Sequence, residues 1–244
     1  MWISGRHHVE ELLSSIRQRP RKVLISDSVP ADVRKEVSAR AAAAGIPCLS
    51  CAKDAWRKRT GETESAGVAA EIAEYRYDEL EDWVAALPEL AVAFLLDGVT
   101  DPQNLGAVIR NARAFGVAGV VVPRDRTCPV TAAVFRASAG AAAHVPVIQV
   151  TNLARTIDDL KERGFWLYAA VGDGETDIGE LSPAKRTGFV LGSEDAGIRK
   201  LVREKCDGGV RIPMHPGVDS LNVAVASGIL AFCARRAEGD KGEA

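Results

Sequence analysis

The sequence predicts an α/β protein, a mostly parallel sheet with helices on both faces, preceded by a smaller α/β piece. Three observations carry this. Six apolar runs of the kind found in strands buried on both faces recur between residues 91 and 212. Helical segments alternate with several of them, the pattern of parallel β-α-β units. Ahead of them, a shorter β-α-β pattern occupies the first 76 residues, enough for a small domain.

In the front piece, apolar residues at 9, 12, 13 and 16 predict a helix over Val9 to Arg19, stopped by Pro20. Lys22 to Ser26 reads as a strand, and Pro30 and Asp32 open a helix that runs to Ala44 and closes at Gly45. Ile46 to Leu49 suggests a strand, Asp54 to Lys58 a short helix, Thr60 to Gly67 a polar loop, and Val68 to Ile72 a strand. Tyr77 to Pro88 is acidic around Leu80, Trp83, Val84 and Leu87, and reads as an amphipathic connector. The expected division is a front domain over 1–76, an acidic linker over 77–90 and a rear domain over 91–244.

In the rear piece the expected strands are Ala91 to Leu96, Ala118 to Val122, Val145 to Val150, Phe165 to Val171, Gly188 to Leu191 and Gly209 to Ile212. The helices between them are Asn104 to Phe115, Thr131 to Ala141, Leu153 to Arg163 and Gly197 to Glu204, with a last apolar helix ending near Arg236. Two strands run out into loops bearing Gly or Pro and polar groups: Gly192-Ser193-Glu194-Asp195-Ala196-Gly197, and Pro213 through Asn222. Strand ends of a parallel sheet are where ligands are held, because backbone amides and carbonyls are free there.

The 244 residues carry 47% hydrophobic and 26% charged residues, an ordinary globular composition. The net charge of −2 is uneven. Residues 1–76 hold 13 Lys+Arg against 10 Asp+Glu, residues 77–92 hold five acidic residues and no basic one, and the remainder balances. A mildly basic front piece is compatible with RNA and equally with solvated helical faces. The N-terminus lacks a signal-peptide core, and the longest near-apolar stretch, Leu221 to Ala234, is too short to span a bilayer. Five scattered cysteines argue for a reducing compartment, so a cytoplasmic protein with no membrane association is expected. Cys48 and Cys51 form a C-x-x-C without a second pair, and the four histidines show no ligand spacing, so no metal is expected.

Neither a dinucleotide fingerprint nor a P-loop follows the first rear strand. Asn104 instead opens its helix, and Arg110 sits almost two turns further in. An arginine in an Ala/Val/Ile/Leu helix needs an anionic partner or a path to solvent, and both a site cation and a surface residue fit. In the front piece, Arg57-Lys58-Arg59 beside Trp56 suits RNA, with cations for phosphates and an aromatic face for bases. A solvated helix end with Trp56 in the core fits equally.

Three ordered segments resemble the motifs of the SpoU-type (TrmH-like) RNA ribose 2′-O-methyltransferases: Asn104 through Ala112; Leu191-Gly192-Ser193-Glu194-Asp195-Ala196-Gly197-Ile198; and Ile212-Pro213-Met214 with Ser220 through Ala226. The similarity extends over Val130 to Val147. Gly5-Arg6-His7 with Gly67-Val68 resembles the small substrate-binding domain of the branch that modifies a guanosine of 23S ribosomal RNA. Two departures stand out: His215-Pro216-Gly217 replaces a small-residue segment, and Glu64-Ser65-Ala66 stands where a His-Gln pair is common.

The resemblance implies a SPOUT fold, with a C-terminal trefoil knot that holds S-adenosylmethionine, behind an L30e-like RNA-binding domain. It implies transfer of a methyl group to the ribose 2′-hydroxyl of a guanosine in 23S rRNA by a homodimer built on the C-terminal helix. Leu221, Val223, Val225, Ile229, Leu230 and Phe232 around that helix agree. Asn104, Arg110, Glu194, Ser220 and Asn222 are the implied catalytic residues, and Leu191, Gly192, Ile212, Met214 and Leu221 the implied cofactor-binding set. Arg6, His7, Arg57 and Arg59 are the candidate RNA contacts. A transfer-RNA methyltransferase, or a non-catalytic RNA-binding assembly factor, is the alternative.

Overall fold

A computed structural model describes residues 1–61 and 67–242, with side-chain surroundings up to Arg236. Glu64-Ser65-Ala66 lie outside the described residues. The chain forms two compact units, Met1–Arg76 with Val130–His144, and Tyr77–Pro129 with Val145–Ala244.

The front unit holds a four-stranded mixed sheet. Its strands are β1 (Trp2–Ser4), β2 (Lys22–Ser26), β3 (Cys48–Cys51) and β4 (Val68–Glu71), in the order β1-β4-β2-β3. β2 and β3 are parallel, and β4 runs antiparallel to both its neighbours. β1 has only three residues, too short for periodicity to reveal. Helix α1 (Arg6–Ser14) stops well short of Arg19 because Ser15 interrupts it. The Ser15 hydroxyl accepts the backbone N–H groups of Arg17 and Gln18 and donates to the Ala143 carbonyl, a local alternative to helical bonding. Helices α2 (Ala31–Ala43) and α3 (Lys53–Thr60) follow the expected order. Trp56 on α3 is fully buried against Leu24, Cys51 and Ala69, so it offers no stacking face.

Residues 130–144 correct the expected boundary, since they pack in the front unit and not the rear. The expected helix ends early: α6 (Ala132–Ala137) breaks where Ala139 (φ 50°) and Gly140 (φ 84°) turn left-handed, and a short 3-10 turn follows. A Cβ at Gly140 would meet Glu11 Cγ at 2.8 Å, so only glycine lets this segment close on α1. His144 Nε2 then lies 2.6 Å from Glu11 Oε2, and the Tyr75 hydroxyl donates to the Ala142 carbonyl at 3.1 Å.

The rear unit is a seven-stranded sheet in which every pairing is parallel. Its strands are β5 (Ala91–Asp97), β6 (Gly119–Pro123), β7 (Val147–Val150), β8 (Phe165–Ala170), β9 (Thr176–Asp177), β10 (Arg186–Gly192) and β11 (Gly208–Arg211). They lie in the order β7-β6-β5-β10-β8-β11-β9. All seven residues of β5 are buried, as a continuous apolar run requires. Helices α5 (Pro102–Phe115) and α9 (Val223–Gly242) pack together, as do α7 (Leu153–Glu162) and α8 (Lys200–Lys205). Helix α5 begins with Asp101, whose carboxylate accepts the Gln103 N–H at 3.0 Å, and with Pro102, and it ends at left-handed Gly116, a full set of start and stop signals.

The acidic segment read as a linker forms α4 (Leu80–Ala85) and is part of the rear core. Trp83 is buried against Ile148 and Phe165, and its indole N–H donates to the Ala118 carbonyl at 3.0 Å. Gly119 is required beneath it, because a Cβ there would meet the indole nitrogen at 2.7 Å. Trp83→Ala should therefore destabilise the rear unit by about 3–5 kcal/mol. The measurement is a lower denaturant midpoint for the rear unit, and a change below about 1 kcal/mol would show that α4 is only a connector.

Candidate active site

The C-terminal ends of β8, β10 and β11 open into a cavity of about 400 Å³. Leu191 and Gly192 form one wall, Ile212 and Met214 a second, and Leu221 a third. The structure thus brings all five residues proposed to hold a cofactor into one space. Glu194 and Ser220 line it as well. Close backbone passage makes the cavity possible: a Cβ on Gly192 would lie 2.2 Å from the carbonyl carbon of Gly197, and one on Gly174 would lie 2.6 Å from that of Val210. Only glycine tolerates approaches of that kind.

Beside the cavity three side chains from three segments converge. The Asn222 amide donates to Asn104 Oδ1 at 2.9 Å and to the Glu194 carboxylate, and the Asn104 amide donates to the same carboxylate oxygen at 3.2 Å. Asn222 Oδ1 meanwhile accepts the N–H groups of Ala224 and Val225 at 2.9 and 3.3 Å, which caps the start of α9. One carboxylate therefore ties the start of α5, the loop after β10 and the start of α9 together. Ser220 is exposed nearby in sequence, and His215-Pro216-Gly217 forms an exposed turn with Gly217 at φ 89°.

Arg110 stands apart. Six residues from Asn104 place it about 120° round the helix, and it is exposed, with no hydrogen bond or ion pair among the described residues. It does not line the cavity. No hydrogen bond joins Arg110 to Asn104, Glu194, Ser220 or Asn222 among the described residues, and the helix sets Arg110 on a different face of α5 from Asn104.

Three further elements were missed in the sequence. Asp97 ends β5 with its side chain only 1% exposed, and its carboxylate accepts the Arg199 backbone N–H at 2.9 Å and Nε at 2.7 Å, with Nη2 also at 2.7 Å. The signal was available, since a carboxylate closing a fully buried strand needs a charged or N–H partner. Asn111 lies seven residues beyond Asn104, on the same face of α5. It donates to the Ala224 carbonyl at 2.7 Å and to the buried Ser227 hydroxyl at 3.0 Å, clasping α5 to α9. Asp173 after β8 and Arg203 on α8 form an ion pair at 2.8 Å, and both line the cavity. The hydrogen bond from Arg203 holds the Asp173 carboxyl below its ordinary range.

The RNA candidates lie in the front unit. Arg6 is exposed and pairs with Glu10 at 2.9 Å and Glu36 at 2.6 Å. His7 is exposed, 3.9 Å from Glu11. Arg57 and Arg59 are exposed in the last turn of α3. Among the described residues no three His, Cys, Asp or Glu side chains gather as a metal site, and no helix is long and apolar enough to cross a membrane.

A parallel sheet with a cavity at its strand ends, fenced by an Asn–Glu–Asn cluster, defines a class that comparison with known proteins identifies. Residues 91–232 match the SpoU rRNA Methylase family, and residues 2–78 match the RNA 2′-O ribose methyltransferase substrate binding family. The chain belongs to the SpoU rRNA methylase family. It is 40% identical over 238 residues to the 23S rRNA (guanosine-2′-O-)-methyltransferase RlmB of Xanthomonas campestris pv. campestris, covering 96% of each chain. A Staphylococcus saprophyticus relative, described only as a TrmH family tRNA/rRNA methyltransferase, is 39% identical over 94% of this chain and 93% of its own. The fold is shared with the SpoU methyltransferase AviRb of Streptomyces viridochromogenes, solved in complex with AdoMet, at a TM-score of 0.82 and 22% identity over 98% of this chain and 91% of that one.

Removing the Asp97 carboxylate strands two donors of Arg199 and one backbone N–H. Asp97→Ala should cost about 2–3 kcal/mol, since Arg199 is partly exposed and can regain water. Hydrogen exchange should quicken across residues 193–199 first. Uniform quickening of the whole rear unit would show that Asp97 supports the core and not the loop.

Proposed function

We propose that this protein transfers a methyl group from S-adenosylmethionine to the ribose 2′-hydroxyl of a guanosine in 23S ribosomal RNA. The observation that carries the reading is the single cavity at the ends of β8, β10 and β11, with the Asn104–Glu194–Asn222 cluster at its side. The cavity fits the cofactor in size, about 400 Å³ against roughly 300–1,000 Å³ for small-molecule sites. It fits in charge as well: three carboxylates, Asp173, Glu194 and Asp219, face one basic side chain, Arg203, which suits a sulfonium cation. Leu191, Ile212, Met214 and Leu221 would hold the cofactor by apolar contact, with Gly192 allowing the backbone close to it. When bound, it supplies an electrophilic methyl group.

The chain's own task is to position a ribose and ease the loss of a weakly acidic proton. Arg110 as a literal base would have to shed about six pKa units, roughly 8 kcal/mol. A guanidinium that stabilises the developing alkoxide and grips a phosphate is the cheaper role. The proton then passes to that phosphate or to water. Since Arg110 is exposed and makes no bond to its own chain's cluster among the described residues, we infer that it acts within a homodimer formed on α5 and α9, where Phe232 and Val225 are half exposed. The close glycine passages and the position of β10 beside β5 support a trefoil knot.

The division into a front domain that selects RNA, through Arg6, His7, Arg57 and Arg59, and a rear domain that does the chemistry is likewise proposed. Action on ribosomal RNA supports a cytoplasmic location, which is also proposed. The Staphylococcus relative supports a second reading, the same chemistry on transfer RNA. Loss of Asn104, Arg110 or Asn222 would favour a non-catalytic factor, and all three are present.

Mapping ribose methylation in RNA from cells with and without the protein tests the target. One guanosine of 23S rRNA should lose its 2′-O-methyl group, whereas a change confined to tRNA would select the second reading. Cofactor binding, followed by calorimetry, should be unchanged in EDTA. A strict metal requirement would overturn the cavity assignment.

Arg110→Ala should cut turnover about a hundred- to a thousandfold while cofactor affinity and folding stay nearly intact. Arg110→Lys loses the planar fork and should rescue little, yet should outperform neutral Arg110→Gln with RNA saturating. Gln equal to Lys would refute the electrostatic role, and full activity in the Ala variant would remove Arg110 from the site.

A further inference from the structure

We propose that Arg203 and Asp173 together grip the amino-acid end of S-adenosylmethionine, Arg203 taking its α-carboxylate and Asp173 its α-ammonium; this rests on the cofactor reading above. The cofactor carries a zwitterion at one end, and a cation and an anion side by side at the cavity match it in charge. Among the described residues Arg203 is the sole basic side chain lining the cavity. Of the acidic ones, Glu194 is engaged by the amides of Asn104 and Asn222, and Asp219 lines the cavity without an ion pair to Arg203 among the described residues. The neighbouring Glu175 lies outside the lining and accepts the Gly209 N–H at 2.9 Å. Asp173 is already matched to Arg203 at 2.8 Å.

That pair is poised to reopen. The two side chains are 46% and 69% exposed, and ion pairs so placed contribute little to stability. An incoming zwitterion offers each partner an opposite charge, so one pair becomes two without burying an unpaired charge. The two residues also sit on separate segments, the loop after β8 and helix α8. The bound zwitterion would therefore bridge the two sides of the cavity mouth that the ion pair now joins directly.

Two ligands separate this role from a structural tie. S-adenosylhomocysteine keeps the amino-acid end, and 5′-methylthioadenosine keeps the adenosine and sulfur without it. By calorimetry on the full-length protein, Arg203→Ala should weaken S-adenosylhomocysteine about ten- to a hundredfold and leave methylthioadenosine within about twofold. Arg203→Lys should recover part of the loss, and Asp173→Asn should show a smaller loss with the same selectivity. Equal weakening of both ligands would mean that the pair only shapes the cavity, and no weakening of either would remove the pair from recognition. Each of these outcomes overturns the proposal while the cofactor reading survives. A wild-type protein that binds neither ligand would overturn the cofactor reading and this proposal with it.

Discussion

The grip of Asp97 on Arg199 is the constraint on which the site depends. β10 sits between β5 and β8, so the loop that leaves it emerges beside the end of β5. A loop there with free N–H groups and no partner would wander over a range of geometries. The Asp97 carboxylate, nearly shut off from water, accepts the backbone and the guanidinium of Arg199 together. Charge-assisted bonds in such a setting are short and directional. The loop is thereby pinned at its far end while Leu191 and Gly192 pin its near end in the sheet. Between those two points Glu194 has little freedom left, and it can receive two amides on one oxygen.

The same economy runs through α5 and α9. Asn104 and Asn111 fall on one face of α5, and both reach polar groups of the chain around the start of α9. Asn222 caps α9 and joins the carboxylate cluster with the same side chain. Polar groups placed this way fix register, since an apolar helix pair could slide by a turn at small cost whereas these hydrogen bonds cannot. The proposed site and helix docking thus share atoms, and substitutions at Asn222 should disturb both.

Legibility in the sequence followed physical range. The parallel strands were readable because burial on both faces leaves a run with no polar interruption. α5 was readable as a helix from Asn104 to Phe115, and the Asp101 cap and Pro102 start it two residues earlier than the sequence reading placed it. What escaped reading depended on distant partners. β1 and β9 are too short for a period, and α1 ends early because Ser15 finds a carbonyl 128 residues away. Residues 130–144 read as part of the rear domain, yet Gly140 lets them close on Glu11 in the front one. Trp56 had two readings, and burial chose the bland one. Leu191, Gly192, Ile212, Met214 and Leu221 were named through family resemblance, because nothing in periodicity says that two separate strand-end loops share one cavity. Asp97, Asn111 and Arg203 lay in plain view, each a polar group whose partner only the fold supplies.

In the proposed homodimer, helix α9 would couple assembly to chemistry. Its inward face, with Leu230, Ala231, Ala234 and Ser227, is buried within the chain, while Val225 and Phe232 stand half exposed on another face. Phe232 also meets Phe115 of α5 edge-on, at 6.1 Å between ring centres. A half-exposed aromatic ring at the junction of two helices is costly to leave in water. The helix that carries it begins at Asn222, inside the carboxylate cluster, and the helix it touches carries Arg110 on an open face. In the proposed homodimer, covering Phe232 with the second copy would shield the apolar surface, steady the start of α9 and position Arg110, which has no ion pair among the described residues. The packing of two chains on α5 and α9 would thus be linked to the proposed role of Arg110.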